Sequence, residues 1–141
     1  MSAPSKSFVV FPLGEKRFAL PAEMVNEMAC PDRVQSFPQT TPLLNGVLVR
    51  RGRIVPVCDA GRLLAGKTQR RHRFCLIATL RYDSAAEWVA LPVTGDGELI
   101  SGEMLPPTGR LPQYVAGLLA LKDEIVEVID LGQLMASEVR A

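Results

Sequence analysis

The hydrophobic residues of this chain come in short runs, each stopped by glycine, proline, aspartate or a cluster of charges. The first half carries FVVFPL, RFAL, a segment around NEMAC, GVLVR and RIVPVC. The second carries RFCLIATLRY, EWVALPV, GELIS, GLLAL and EIVEVI. Enriched in β-branched and aromatic residues and bounded by turn formers, these runs predict strands, five in each half. Arg51-Gly52 separates Gly46–Arg50 from Arg53–Cys58 as a two-residue hairpin loop, with Gly52 free to take a positive φ. Lys122-Asp123 fills the matching place later in the chain. Gly46, Gly52 and Gly117 are assigned to turns. Asp59 and Asp130 each follow the last strand of their half, where a carboxylate accepts orphan backbone N–H bonds at the start of a short helix.

The two sets of runs are copies of one another. Leu44–Leu64 laid over Val115–Met135, at a constant offset of 71 residues and without gaps, matches at eight positions. These are Gly46/Gly117, Leu48/Leu119, Ile54/Ile125, Val55/Val126, Val57/Val128, Asp59/Asp130, Gly61/Gly132 and Leu63/Leu134. The same offset sets FALP (Phe18–Pro21) over VALP (Val89–Pro92). So long a period is a duplicated half-domain rather than a solenoid. The expected fold is all-β: two pseudo-repeated small five-stranded, SH3-like barrel subdomains packed together, with short helical turns and a short C-terminal helix. The domain spans residues 7–137, with halves of about 7–67 and 69–137, and residues 1–6 form a flexible N-terminus. A half of roughly 70 residues buries too little core to stand alone, so a shared apolar interface is expected.

Composition narrows the function. In 141 residues the net charge is +1, which gives no electrostatic case for nucleic acid as the main partner. No apolar run approaches the ~18 residues that span a bilayer, and MSAPSKS lacks a signal-peptide core; a cytoplasmic protein is expected. Cys30, Cys58 and Cys75 are odd in number, widely spaced and in apolar surroundings, which reads as buried small hydrophobes rather than a disulfide frame or metal site. His72 is the only histidine and lies in RRHR, so catalytic triads and histidine-rich metal sites are excluded. No catalytic residue, metal or cofactor is expected. The cluster Lys67, Arg70, Arg71 and Arg73 reads as a solvated connector, with a docking patch for an acidic surface as the alternative.

One motif points elsewhere. Gly61–Thr68, GRLLAGKT, satisfies the phosphate-loop pattern G-x-x-x-x-G-K-[ST]. A phosphate loop needs a helix after it whose N-terminus faces the phosphates, and here QRRHRFCLIATL runs into a strand. By the repeat, Leu63 and Leu64 pair with Leu134 and Met135 as buried residues of a terminal helix. The match is therefore read as accidental, although a P-loop nucleotide-binding protein remains an alternative.

Three segments carry a resemblance to a known family: LGEKRFALPAEMVNEM (Leu13–Met28), GVLVRRGRIVPVCD (Gly46–Asp59) and YVAGLLALKDEIVEVIDLGQLM (Tyr114–Met135). In this order and spacing the chain resembles the CheW-like family of coupling proteins in bacterial chemosensory arrays. The resemblance implies two five-stranded barrels and a non-catalytic adaptor. It would join the cytoplasmic tip of chemoreceptors to the regulatory domain of a CheA-type histidine kinase, in the cytoplasm beside membrane-bound receptor arrays and without membrane insertion or nucleic acid. A barrel-type binding module outside the kinase array is the alternative. The family's functional glutamate, in a "V-x-E" that belongs to a short helical turn, falls on Glu27, with Val25 beside it. Its arginine falls on Arg51, so Glu27–Arg51 is the expected pair, read otherwise as an ordinary surface ion pair. Val49 and Arg50 stand where the family has "n-l" and complete the expected partner-binding residues, making that edge more basic. Val93-Thr94-Gly95-Asp96-Gly97 departs from the family's "V-D-x-V" and reads as a turn. These departures suggest an accessory or non-flagellar member; oligomeric state stays open.

Overall fold

Strands whose apolar residues point both ways need cover on both faces, and this requirement organises the molecule. The computed structural model describes residues 6–30, 35, 44–66, 74–82 and 85–139. The first half provides β1 (Lys6–Leu13), β2 (Lys16–Pro21), β3 (Val25–Ala29), β4 (Leu44–Arg50), β5 (Arg53–Cys58) and helix α1 (Ala60–Leu64). The second provides β6 (Phe74–Tyr82), β7 (Ala85–Val93), β8 (Glu98–Gly102), the short β9 (Met104–Leu105), β10 (Val115–Ala120), β11 (Ile125–Ile129) and helix α2 (Leu131–Val139).

The strands form two sheets, and they do not sort by half as two contiguous barrels would require. One sheet runs β3-β6-β7-β5-β4; the other runs β8-β1-β2-β11-β10-β9. Each half therefore gives its first hairpin to the sheet of the other. The joints are parallel pairings and match under the repeat: Val57 lies opposite Ala90, and Val128 opposite Ala19. The physical reason is burial. Along β1, Phe8 and Val10 face the interior of their own sheet while Phe11 and Leu13 face a core shared with the other. Along β6, Cys75 and Ile77 face inward and Leu76, Ala78 and Leu80 face the shared core. Each exchanged hairpin lies within the sheet it joins, with one face on that sheet's own cluster and the other on the shared core, so both of its faces are covered. Both helices contribute to the same shared core, through Leu64 of α1 and Leu131 and Leu134 of α2.

The small devices repeat as well. Asp59 Oδ1 accepts from the Arg62 backbone N–H at 3.3 Å, and Asp130 Oδ1 from that of Gln133 at 3.0 Å, so both aspartates cap their helices. The Arg51-Gly52 loop has φ of 53° and 75° at its two residues, as a two-residue turn whose twist matches the strands demands. Gly46 and Gly117, in contrast, lie inside β4 and β10, where the register slips by one residue, at bulges and not turns. A β-carbon on Gly117 would sit 2.7 Å from the Leu105 carbonyl oxygen and 2.5 Å from Met104 Cγ. Because backbone cannot move aside cheaply, Gly117→Ala is expected to cost about 1–3 kcal/mol, read as a lower urea midpoint with unchanged m-value.

Candidate partner-binding face

Strands β3 and β4 are the two outer strands of their sheet, yet side chains from them touch. Glu27 of β3 accepts from Arg50 of β4 through both oxygens, Nε to Oε1 at 2.5 Å and Nη2 to Oε2 at 3.1 Å. Arg51 Nη2 adds a third bond to Oε2 at 3.2 Å. The sheet must curl until its edges meet for this to occur. Gln35 continues the closure, exchanging backbone bonds of 2.8 and 2.7 Å with Val47.

The sequence-based pairing of Glu27 with Arg51 is present, but Arg50 is the stronger partner. Arg50 is the last ladder residue, opposite Arg53, and presents its guanidinium as a fork; Arg51 is already in the turn and supplies a single bond. The V-x-E segment also sits differently from expectation. A single 3-10 turn, Ala22–Met24, precedes it, and Val25 and Glu27 themselves belong to β3, with a bulge between them. Val25 is half-buried and packs with Met24 and Met28 against the shared core rather than forming an open apolar strip.

The open apolar residues are Val49 and Ile54, cross-strand partners on the outer side of the β4–β5 hairpin, 72% and 74% exposed. Arg53, on the other side of that hairpin, lies over the Trp88 ring at 4.2 Å. Neither Ile54 nor Trp88 is among the partner-binding residues expected from the sequence. The repeat could have flagged Ile54, since its counterpart Ile125 is exposed in the same way. Cys58 and Cys75 are buried as expected, but Cys30 is exposed, because β3 ends one residue before it.

Hydrogen bonds from Arg50, reinforced by Arg51 and by the charges of both, pull the Glu27 carboxyl down from 4.5 to about 2 against the opposing effect of its burial. A carboxyl lowered in the folded state stabilises the fold above its unfolded pKa and loses that contribution as pH falls. The stability difference between the native protein and Glu27→Gln should accordingly be constant above about pH 4.5 and shrink to nothing toward pH 2, in urea titrations taken at a series of pH values.

In Gly61–Thr68, the stretch Gly61–Leu64 belongs to α1, capped from Asp59, so it is helix where a phosphate loop would need open backbone. Lys67 and Thr68 lie outside the described residues, as do His72 and the basic cluster Lys67, Arg70, Arg71 and Arg73. Among the described residues no group of side chains suits a metal ion, and no helix is long and apolar enough to cross a membrane. Between the sheets, Glu23, Met24, Leu80, Arg81, Asp130 and Gly132 line an open cavity of about 480 Å³.

Two curled sheets that trade hairpins around a common core, with an ion-paired hairpin tip at one end, define a class of paired β-barrel proteins. The family model of the CheW-like domain matches residues 7–139, and the chain belongs to that family. It is 23% identical over 138 residues to the chemotaxis protein CheW of Klebsiella aerogenes, covering 94% of this chain and 83% of that one. To the protein FrzA of Myxococcus xanthus it is 30% identical over 105 residues, 74% of this chain and 66% of the relative. The crystal structure of the scaffolding protein TtCheW from Thermoanaerobacter tengcongensis has the same fold, with a TM-score of 0.78 at 22% identity over 94% of this chain and 89% of that one.

Proposed function

We propose that this protein is a non-catalytic adaptor that joins the cytoplasmic tip of a chemoreceptor to the regulatory domain of a CheA-type histidine kinase. Its place is the cytoplasm, beside membrane-bound receptor arrays. The observation that carries this reading is the Glu27–Arg50–Arg51 cluster at the β4–β5 tip, since Glu27 and Arg51 are the positions onto which the family's functional pair falls. Family membership supports it. The mechanism is transmission through packed surfaces: the receptor's signalling states make different contacts, and a difference of about 1–3 kcal/mol is enough to bias the kinase. The Val49-Arg50 sequence beside the turn and the Gly-rich stretch after β7 favour an accessory or non-flagellar pathway.

Calorimetric titration with the regulatory domain of the organism's own kinase should show micromolar binding, and a receptor-tip fragment should bind as well. Glu27→Lys replaces the shared acceptor with a third cation beside Arg50 and Arg51. It should weaken receptor binding by at least about tenfold, or ~1.4 kcal/mol, while the protein stays folded. Absence of binding to both kinase and receptor by a folded protein would sink the adaptor reading and leave a barrel-type binding module serving another partner.

A further inference from the structure

The two exchanged hairpins, β1–β2 and β6–β7, are equivalent strand for strand, but they meet the opposite half differently. Pro21 lies opposite Phe8 and Pro92 opposite Cys75, so the register sets Leu13 over Leu80 and Gly14 over Arg81. At the offset of 71, Glu23 corresponds to Thr94 and Met24 to Gly95. At the β1–β2 turn the joint is shut. The Gly14 N–H donates to Thr94 Oγ1 at 3.0 Å, and the Thr94 N–H donates to the Pro12 carbonyl at 3.1 Å. A β-carbon on Gly95 would meet Pro12 Cγ at 2.9 Å. At the equivalent joint charged residues replace neutral ones and the space stays open. Glu23, Met24, Leu80 and Arg81, with Asp130 and Gly132 at the start of α2, line the cavity of about 480 Å³. Among the described residues neither the Glu23 nor the Arg81 side chain has a hydrogen bond or ion pair, so they do not close it on each other. Asp130 uses Oδ1 to cap the helix at Gln133 and keeps its second oxygen.

A bare cation at this place is repelled by Arg81 and a bare anion by Glu23 and Asp130, while an uncharged molecule leaves all three charges desolvated without a partner. A ligand that carries both charges close together satisfies each of them. The volume falls within the ~300–1,000 Å³ typical of small-molecule sites, and Met24 and Leu80 give it an apolar wall. We propose that this cavity binds a free zwitterionic α-amino acid with an aliphatic side chain. Its carboxylate takes the two-pronged edge of the Arg81 guanidinium, and its ammonium donates to Glu23 and to the second oxygen of Asp130. Its side chain lies on Met24 and Leu80. The bound molecule ties β6 to the start of α2, doing at this joint what Thr94 does at the other. The site goes beyond the adaptor reading and shares no residue with the Glu27–Arg50–Arg51 cluster.

The probe is L-leucine, titrated into the full chain and followed by amide proton–nitrogen correlation spectra. Leucine should move the Met24, Arg81 and Gly132 signals with a millimolar Kd. Isocaproate, which lacks the ammonium, and isoamylamine, which lacks the carboxylate, should each bind at least about tenfold weaker. Arg81→Gln should weaken leucine about tenfold and leave isoamylamine no weaker. Glu23→Gln should weaken leucine about threefold, Asp130 remaining, and leave isocaproate no weaker. Gly132→Ala sets a β-carbon 3.4 Å from Asp130 Oδ1 in the cavity wall, at a helical position that favours alanine. Leucine binding should then fall severalfold with no drop in the urea midpoint. No movement of these signals at tens of millimolar leucine, as a Glu23–Arg81 ion pair closing the cavity would give, overturns the proposal. So does equal binding of the three compounds, or leucine binding that both glutamine variants leave intact. None of these outcomes involves kinase or receptor, so the failure of the adaptor reading and the failure of this site are separate results.

Discussion

Cut between Thr68 and Gln69 and expressed as separate pieces, the protein should yield two unfolded chains, and mixing them should restore a folded complex. Each piece holds one full copy of the repeat, but neither holds one full sheet. The N-terminal piece keeps β3, β4 and β5 without β6 and β7, which stand between them in the sheet, and its β1–β2 hairpin loses both β8 and β11. An edge strand stripped of its neighbour and an apolar hairpin bare on both faces cannot form a stable domain of about 70 residues. Circular dichroism of each piece, then of the equimolar mixture, checks this. Cooperative unfolding of either piece alone would mean that each repeat can close a barrel by itself.

Phe11→Ala should cost about 3–5 kcal/mol and destabilise both barrels together. Phe11 is 1% exposed, belongs to the shared core and lies 6.4 Å from Phe18 between ring centroids. Its ring touches a cluster built from both sheets and both helices, so the cavity left behind is felt by all of them. With a total stability of about 5–15 kcal/mol for a domain of this kind, the loss is a large fraction. Denaturant unfolding followed by far-ultraviolet dichroism and by Trp88 fluorescence should shift to the same lower midpoint. Trp88 reports from the interior of the β3–β7 sheet, so separated transitions would show that the barrels melt independently.

The duplication was legible because apolar spacing, the paired aspartates and the FALP/VALP blocks each encode one local structure that recurs. The hairpin exchange was not. A strand apolar on both sides, such as β1 or β6, has the same pattern whether it completes its own half or the other, and only the parallel joints at Ala19 and Ala90 decide. Gly46 and Gly117 signal close backbone approach, and sequence cannot say whether a turn or a bulge causes it. Glu27 and Arg51 were found through a family resemblance; Arg50 as the main acceptor's partner follows from the edge-to-edge closure of a curled sheet, which no local pattern records. Arg53 over Trp88 links residues from opposite halves and is likewise invisible in the chain.

Arg51 carries a last consequence. It is the only described non-glycine residue with a positive φ, at 53°, in a turn whose first central position asparagine or glycine fills with less strain. A long cationic side chain held there costs about 1 kcal/mol relative to those residues. The hairpin would close better without it. If the proposed function holds, that strain is durability given up at the tip for recognition of a partner, offset in part by the bond from Arg51 to Glu27.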